Sequence, residues 1–289
     1  MSASEFANEN WKKKKVILRL TFLGNVKSAI CLVEGRGNAM SRTLEGKVAV
    51  VTGGGAGLGR EVTAQLLAEG AQVAIVGRGL ETLEGTAAAL GAGVWPVVAD
   101  VADPAQVRQA FAAIVNHLGG VDILVNNAAT YQAFKLDQAS DGELINTFGV
   151  NVLGPAWCIR EAIPLMRLRG GGDIVNVSSE SVRNPFPWLT AYAASKGALE
   201  TFTAGLRNEL REDRIRVCLF RAGHMHGANA SLASWPAGRL DEFIDSITRS
   251  GHLQFAGAAI SAQTAAQALV SALTLPREAN IDVIEVRSA

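Results

Sequence analysis

The stretch that most limits the fold is "KVAVVTGGGAGLGREVTAQLLAEGA", residues 47–71. A short valine-rich run ends in a cluster of glycines, and apolar residues then return at helical spacing. An unbroken apolar run of this length suits a strand buried on both faces of a parallel sheet. The 3.6-residue period that follows suits an amphipathic helix, with Gly70 as its stop. A parallel strand reaches its neighbour only through a crossover, so strand, turn and helix together commit the chain to βαβ units.

The pattern then repeats. Strands are expected at "QVAIVGR", "VWPVVAD", "VDILVNN", "GDIVNVSS" and "RIRVCLFRAG", with a seventh at "IDVIEVR". Helices are expected at "LETLEGTAAALG", at "PAQVRQAFAAIVNHLG" with Pro104 in the first turn, and at Ala191–Arg211. Gly142–Arg169 reads as one long helix or two. This is the pattern of an α/β, doubly wound domain: a seven-stranded parallel sheet with helices on both faces. The stretch from His224 to about Ala258 reads as one irregular loop on the substrate side.

Hydrophobic residues are 48% of the 289 and charged residues 19%, a composition that forms a core. Net charge is zero, which gives no field to attract nucleic acid. The odd cysteine count, Cys31, Cys158 and Cys218 with no ligand spacing, points to a reducing, cytoplasmic setting. No run of 18 uncharged apolar residues exists, so no membrane span is expected. The segment "WKKKKVILRLTFLGNVKSAICLV" is broken by Arg19 and Lys27, and acids flank it. It therefore makes a poor secretory signal or presequence. Residues 1–43 are read as an extension, with Met40 resembling a natural domain start, and residues 44–289 as one catalytic domain.

The glycines read T-G-x-x-x-G-x-G, with Gly53, Gly55, Gly57, Leu58 and Gly59 as candidate cofactor contacts. At such a turn the backbone can approach a pyrophosphate, and the helix N-terminus offers free N–H groups and a positive dipole end. The second strand ends in Gly77-Arg78 where an acid would bind a ribose 2′-hydroxyl. Arginine offers a charged fork for a 2′-phosphate instead, which favours NADP and leaves NAD possible.

Tyr192 and Lys196 in "LTAYAASKG" are four apart, so a helix puts them on one face. A cation within about 4–6 Å stabilises a phenolate and lowers its pKa from about 10. The pair would then serve as general acid and base on an alcohol or carbonyl. Ser179 lies thirteen positions earlier at a strand end, where its hydroxyl would orient a substrate oxygen. Strand alternation points Ser178 the other way.

These residues carry a resemblance. From about Leu44 to Arg287 the chain resembles the short-chain dehydrogenase/reductase family. The matching pieces are "TGGGAGLG", "NNAA", Asn151 in "GVNVLG", Ser179 in "VNVSS" and "YAASK", in order and at the family's spacing. The resemblance implies a single Rossmann-type domain and hydride transfer between a nicotinamide and a substrate carbon. It makes Tyr192 the acid/base, Lys196 the residue that lowers its pKa and holds the nicotinamide ribose, and Ser179 the orienter. Asn151 would hold a water joining Lys196 to solvent. Asp100 and Val101 match adenine contacts, Asn127, Ala128 and Ala129 the cofactor lining, and Gly223 and Met225 the nicotinamide frame.

Three departures stand out: Ala129 replaces the family's glycine, Ala222 its proline and Gly227 a usual threonine. His224 and His226 make a poor zinc set, so no metal is expected. Phe186, Trp188 and Leu189, with Tyr131 and Phe134, are candidate pocket walls, and Arg183 a candidate anion contact. The C-terminal "LPREANIDVIEVRS" resembles members acting on small hydroxy acids, amino-alcohols or aldehydes with NADP, and lacks the glycine-rich end of common tetrameric members.

The expectation is an NADP- or NAD-dependent oxidoreductase on CH–OH. It would interconvert a secondary alcohol and a ketone or aldehyde, on a small apolar or aromatic substrate, as a homodimer or homotetramer. The competing readings are a non-catalytic dinucleotide-binding scaffold or regulator and a nucleotide-sugar dehydratase or epimerase. The intact Tyr–Lys pair weighs against the first, and the short chain against the second.

Overall fold

Apolar side chains on both sides of the central strands require two covering layers of helix, and the chain supplies them. The structure is a computed structural model that describes residues 43–226 and 235–288. The expectations for residues 1–42 and for Gly227 lie outside the described residues. Seven strands form one sheet: β1 (Val48–Thr52), β2 (Gln72–Gly77), β3 (Val94–Val98), β4 (Ile123–Asn126), β5 (Gly172–Ser179), β6 (Ile215–Ala222) and β7 (Val283–Val286). Their order is β3-β2-β1-β4-β5-β6-β7, and every neighbouring pair is parallel.

Alternation sorts the valines. Ala49, Val51, Val73, Ile75, Ile123 and Val125 pack on one face with Leu58, Val62 and Leu66 of α1 (Gly57–Ala68) and with Leu269, Val270 and Leu273 of α9 (Ala262–Leu273). Val50, Ala74, Val76, Leu124 and Ile174 face the other layer. That layer is built from α3 (Pro104–Leu118), α5 (Gly154–Leu168) and α6 (Thr190–Glu209), through side chains such as Phe111, Ile159 and Leu206. α2 (Leu80–Leu90) lies against β3. α3 starts where Asp103 accepts bonds from the N–H groups of Ala105 and Gln106, with Pro104 following.

Gly142–Arg169 resolves as two helices, α4 (Asp141–Phe148) and α5, joined without a break by a π-helical stretch, Gly149–Leu153. The strand order reverses between β1 and β4, which opens a crevice at the carboxyl ends of those strands.

The expectation of one irregular loop from His224 to Ala258 is corrected. Residues 239–249 form α7 (Arg239–Arg249), and α8 (His252–Ala256) follows. α9, capped by Ser261 on the Thr264 N–H, was not foreseen either. Glycine, alanine and serine gave this region loop-like composition, while the apolar stripe of α7 is only Leu240, Phe243, Ile244 and Ile247, of which Phe243 and Ile247 alone are buried, in an otherwise polar segment.

Candidate active site

The site grows from the carboxyl ends of β1, β4, β5 and β6. At β1, Thr52 Oγ accepts the backbone N–H groups of Asn127 (3.1 Å) and Ala128 (3.0 Å). Asn127 Nδ2 returns two bonds, to the carbonyls of Thr52 (3.0 Å) and Gly53 (3.2 Å). The end of β4 thereby clamps the glycine turn. Gly53 takes φ +65°, and a methyl at Gly59 would overlap the Gly53 carbonyl oxygen. The turn thus brings its backbone to the N-terminus of α1 with no side chain in between, which fits a pyrophosphate cradle.

A cavity of about 460 Å³ runs from this turn to the Tyr192 ring. Gly53, Gly57 and Leu58 line one end, and Asn127, Ala128 and Ala129 one wall. Ser179, Tyr192 and Lys196 line the other end, with Gly223 and Met225 beside them. Gly55 packs against Thr82 and Leu83 of α2, and Gly59 lies beneath the turn. Arg78, Asp100 and Val101 sit at the ends of β2 and β3, outside this cavity. Arg78 is exposed and has no ion pair to a described residue, whereas Asp100 accepts the Ala102 N–H.

Tyr192 is buried and bonded to Ser179, and Tyr131 meets its ring edge-on at 4.9 Å. Lys196, 2% exposed, donates to the Val177 carbonyl at 2.8 Å, and its Nζ lies 5.9 Å from the Tyr192 ring centre. Asn151 is fully buried in the π stretch. Its amide holds Ser195 Oγ (3.0 Å) and both backbone groups of Thr130, and Ser195 in turn donates to the Tyr192 carbonyl. Ser178 turns away and donates to Glu200 at 2.7 Å.

Burial sets the protonation of the pair. It pushes the Tyr192 phenol up to about 12, against a lowering by the Ser179 hydrogen bond. It pulls the Lys196 ammonium down to about 8. In these residues taken by themselves, desolvation is the main cause of both shifts.

The Gly-to-Ala departure at 129 costs little, because Ala129 is exposed and its φ is not in the left-handed region. Gly223 is more demanding: a methyl there would meet Arg287 Cβ and the Val286 carbonyl, both at 2.8 Å. Of the predicted walls, Tyr131, Phe186 and Leu189 reach the cavity, while Phe134 and Trp188 stand behind it. Trp188 takes φ +69°, and its carbonyl accepts the Phe134 N–H (2.9 Å), which pins the loop before α6. Arg183 is paired with Glu285 at 3.0 Å and does not line the cavity. His224 lines it, and no described group of three His, Cys, Asp or Glu is placed to hold a metal.

Sequence reasoning missed the wall given by α7 and α8: Leu240, Phe243, Ile244, Ile247 and Leu253. The i, i+3, i+4, i+7 spacing in "RLDEFIDSI" was the available signal. It also missed Trp235, whose indole donates to the Tyr131 carbonyl (2.9 Å) and stacks on that ring at 5.7 Å.

A family model described as short chain dehydrogenase matches residues 47–236. The chain belongs to the short-chain dehydrogenase/reductase family. A short-chain type dehydrogenase/reductase of Picea abies is 39% identical over 184 residues, covering 60% of this chain and 68% of that one. The L-sorbose reductase of Gluconobacter frateurii, solved with NADPH and L-sorbose, superposes with TM-score 0.74 at 27% identity, covering 86% and 97% of the two chains. The 3-ketoacyl-(acyl-carrier-protein) reductase of Brucella melitensis, solved with NADH, gives 0.72 at 29% identity, covering 84% and 97%. As a member of this family the protein is an oxidoreductase that acts on CH–OH with a nicotinamide dinucleotide.

Proposed function

We propose that the protein interconverts a secondary alcohol and a ketone or aldehyde with NADP as its preferred cofactor, on a small substrate with an apolar or aromatic part. The observation that carries this reading is the cavity that joins the glycine turn to Ser179, Tyr192 and Lys196. The turn and the α1 N-terminus would hold the pyrophosphate. Arg78 would hold the 2′-phosphate, and Asp100 and Val101 the adenine side. Gly223, Met225 and Asn127 to Ala129 would frame the nicotinamide. That ring, when bound, supplies or takes up the hydride.

In the direction of reduction, the Tyr192 hydroxyl gives its proton to the carbonyl oxygen as that oxygen gains charge. Ser179 donates a hydrogen bond to the same oxygen and holds it near the phenol. The Lys196 ammonium stabilises the phenolate left behind, and Asn151 fixes α6 through Ser195. The apolar stripe of α7 and Phe186 would take the substrate's apolar part. A homodimer or homotetramer is supported by Ile145, Phe148 and Leu153, apolar and exposed on α4 and the turn after it. Buried free thiols at Cys158 and Cys218 support a cytoplasmic setting.

The test is oxidation of NADPH and NADH across a panel of ketones, aldehydes and keto acids. Turnover is expected with NADPH preferred. Cofactor binding without any turnover would favour the scaffold reading.

Arg78→Ala should raise KM for NADPH about 10- to 100-fold, the range for a lost charge-assisted contact, and leave NADH almost unchanged. Steady-state kinetics with both cofactors check this, and equal effects on both would remove the phosphate contact.

The pH profile follows from the pair. Reduction needs protonated Tyr192 and charged Lys196, and both are present below about 8, the value to which Lys196 is pulled. The log of kcat/KM for reduction should be level below that value and fall above it, as Lys196 loses its proton. A profile still level at high pH would show that the ammonium is not needed.

A further inference from the structure

Ser179 is followed by a single turn of 3₁₀-helix, Glu180–Val182, which puts two more polar side chains against the cavity. Glu180 is 8% exposed, and its carboxylate accepts the backbone N–H of His224. Among the described residues no lysine, arginine or histidine lies within ion-pair distance of it; Arg287 and the His224 ring act only through longer-range attraction. A carboxylate offers about four acceptor directions, so one backbone N–H leaves most of its capacity unused. Ser181 is 4% exposed, lines the same cavity, and its Oγ has no hydrogen-bond partner. Two buried polar groups with spare capacity, side by side in a substrate cavity, are costly unless a ligand satisfies them.

We propose that Glu180 and Ser181 form a second polar contact in the cavity, which binds a hydroxyl group of the substrate at a carbon other than the one that exchanges hydride. This rests on the oxidoreductase reading above. A hydroxyl suits both groups: it donates to the carboxylate and accepts from the serine. Arg287 and the His224 ring already attract the Glu180 charge, so it needs a donor more than a further cation. The apolar wall of Leu240, Phe243, Ile244 and Ile247 receives the rest of the molecule. The substrate class is thus a hydroxyketone, or the matching diol, with an apolar end.

The experiment compares matched pairs: 2-butanone with 1-hydroxy-2-butanone and 4-hydroxy-2-butanone, and acetophenone with 2-hydroxy-1-phenylethanone. The kcat/KM ratio of hydroxylated to plain ketone is measured with NADPH for the wild type, Glu180→Gln and Ser181→Ala. Thermal unfolding and NADPH fluorescence confirm that each variant is folded. At least one hydroxylated partner should be preferred tenfold or more by the wild type, and that ratio should fall at least tenfold in Glu180→Gln and severalfold in Ser181→Ala. Intrinsic carbonyl reactivity differs within a pair but cancels between enzymes, so it cannot imitate this result. Ratios that stay the same in both variants overturn the proposal while leaving the oxidoreductase reading intact. No turnover of any ketone, plain or hydroxylated, overturns that reading and the proposal with it.

Discussion

Tyr192→Phe should cut kcat by about 10²- to 10⁴-fold, the span covered by a single positioned proton donor. The substitution removes one hydroxyl and little else. The ring is buried and packs edge-on against Tyr131 at 4.9 Å, and phenylalanine keeps both contacts. Ser179 loses one partner but still accepts the Ser181 N–H. Lys196 remains bonded to Val177 O, so α6 stays seated on β5. NADPH affinity, read by fluorescence titration, should therefore stay within about twofold, because no stacking or backbone contact of the glycine turn is touched. Loss of turnover with retained binding assigns the proton to Tyr192. Retained turnover would move the acid/base elsewhere, and retained turnover with a displaced pH profile would point to Ser179 or a water in its place.

The strands were legible because both faces of β1, β2 and β4 are buried, so each appears as a short apolar run, while β5 keeps its valines and isoleucine at a recognisable strand spacing. The positions of Ser179, Tyr192 and Lys196 were legible because one strand end and one helical face suffice to bring them together. α7 was not, since its apolar stripe is four residues in an otherwise polar segment and faces the cavity, where Leu240 and Ile244 remain partly exposed. The effect of burial on Tyr192 and Lys196 was not legible in the sequence. Their spacing puts them on one helical face, but their burial depends on residues distant in the chain, such as Tyr131 after β4 and the Val177 carbonyl of β5. Glu180 and Ser181 escaped notice for a similar reason. Whether they face solvent or the cavity is decided by one turn of 3₁₀-helix, and no periodicity extends over three residues.

Gly59→Ala should damage the fold and the cofactor site together. The added methyl has nowhere to go: it overlaps the Gly53 carbonyl oxygen and comes within 2.5 Å of Asn127 Nδ2. Those two groups are hydrogen-bonded to each other at 3.2 Å, so relief at one strains the other. Gly59 does not need a left-handed φ, so the cost is steric and not conformational. Overpacking of this kind costs about 1–3 kcal/mol, which corresponds to a Tm lower by roughly 2–12 °C for a domain of this size. The larger effect falls on NADPH. The turn must move away from α1 to admit the methyl, and the pyrophosphate cradle moves with it, so Kd should rise tenfold or more. Gly85→Ala in α2 is the control, because nothing lies within 4 Å of the new methyl and a helical glycine gains from the change. It should bind NADPH as the wild type does and melt at the same temperature or slightly higher. If Gly59→Ala behaved like Gly85→Ala in calorimetry and titration, the turn would be softer than its hydrogen bonds imply, and the clamp by Asn127 would not be what holds the cradle.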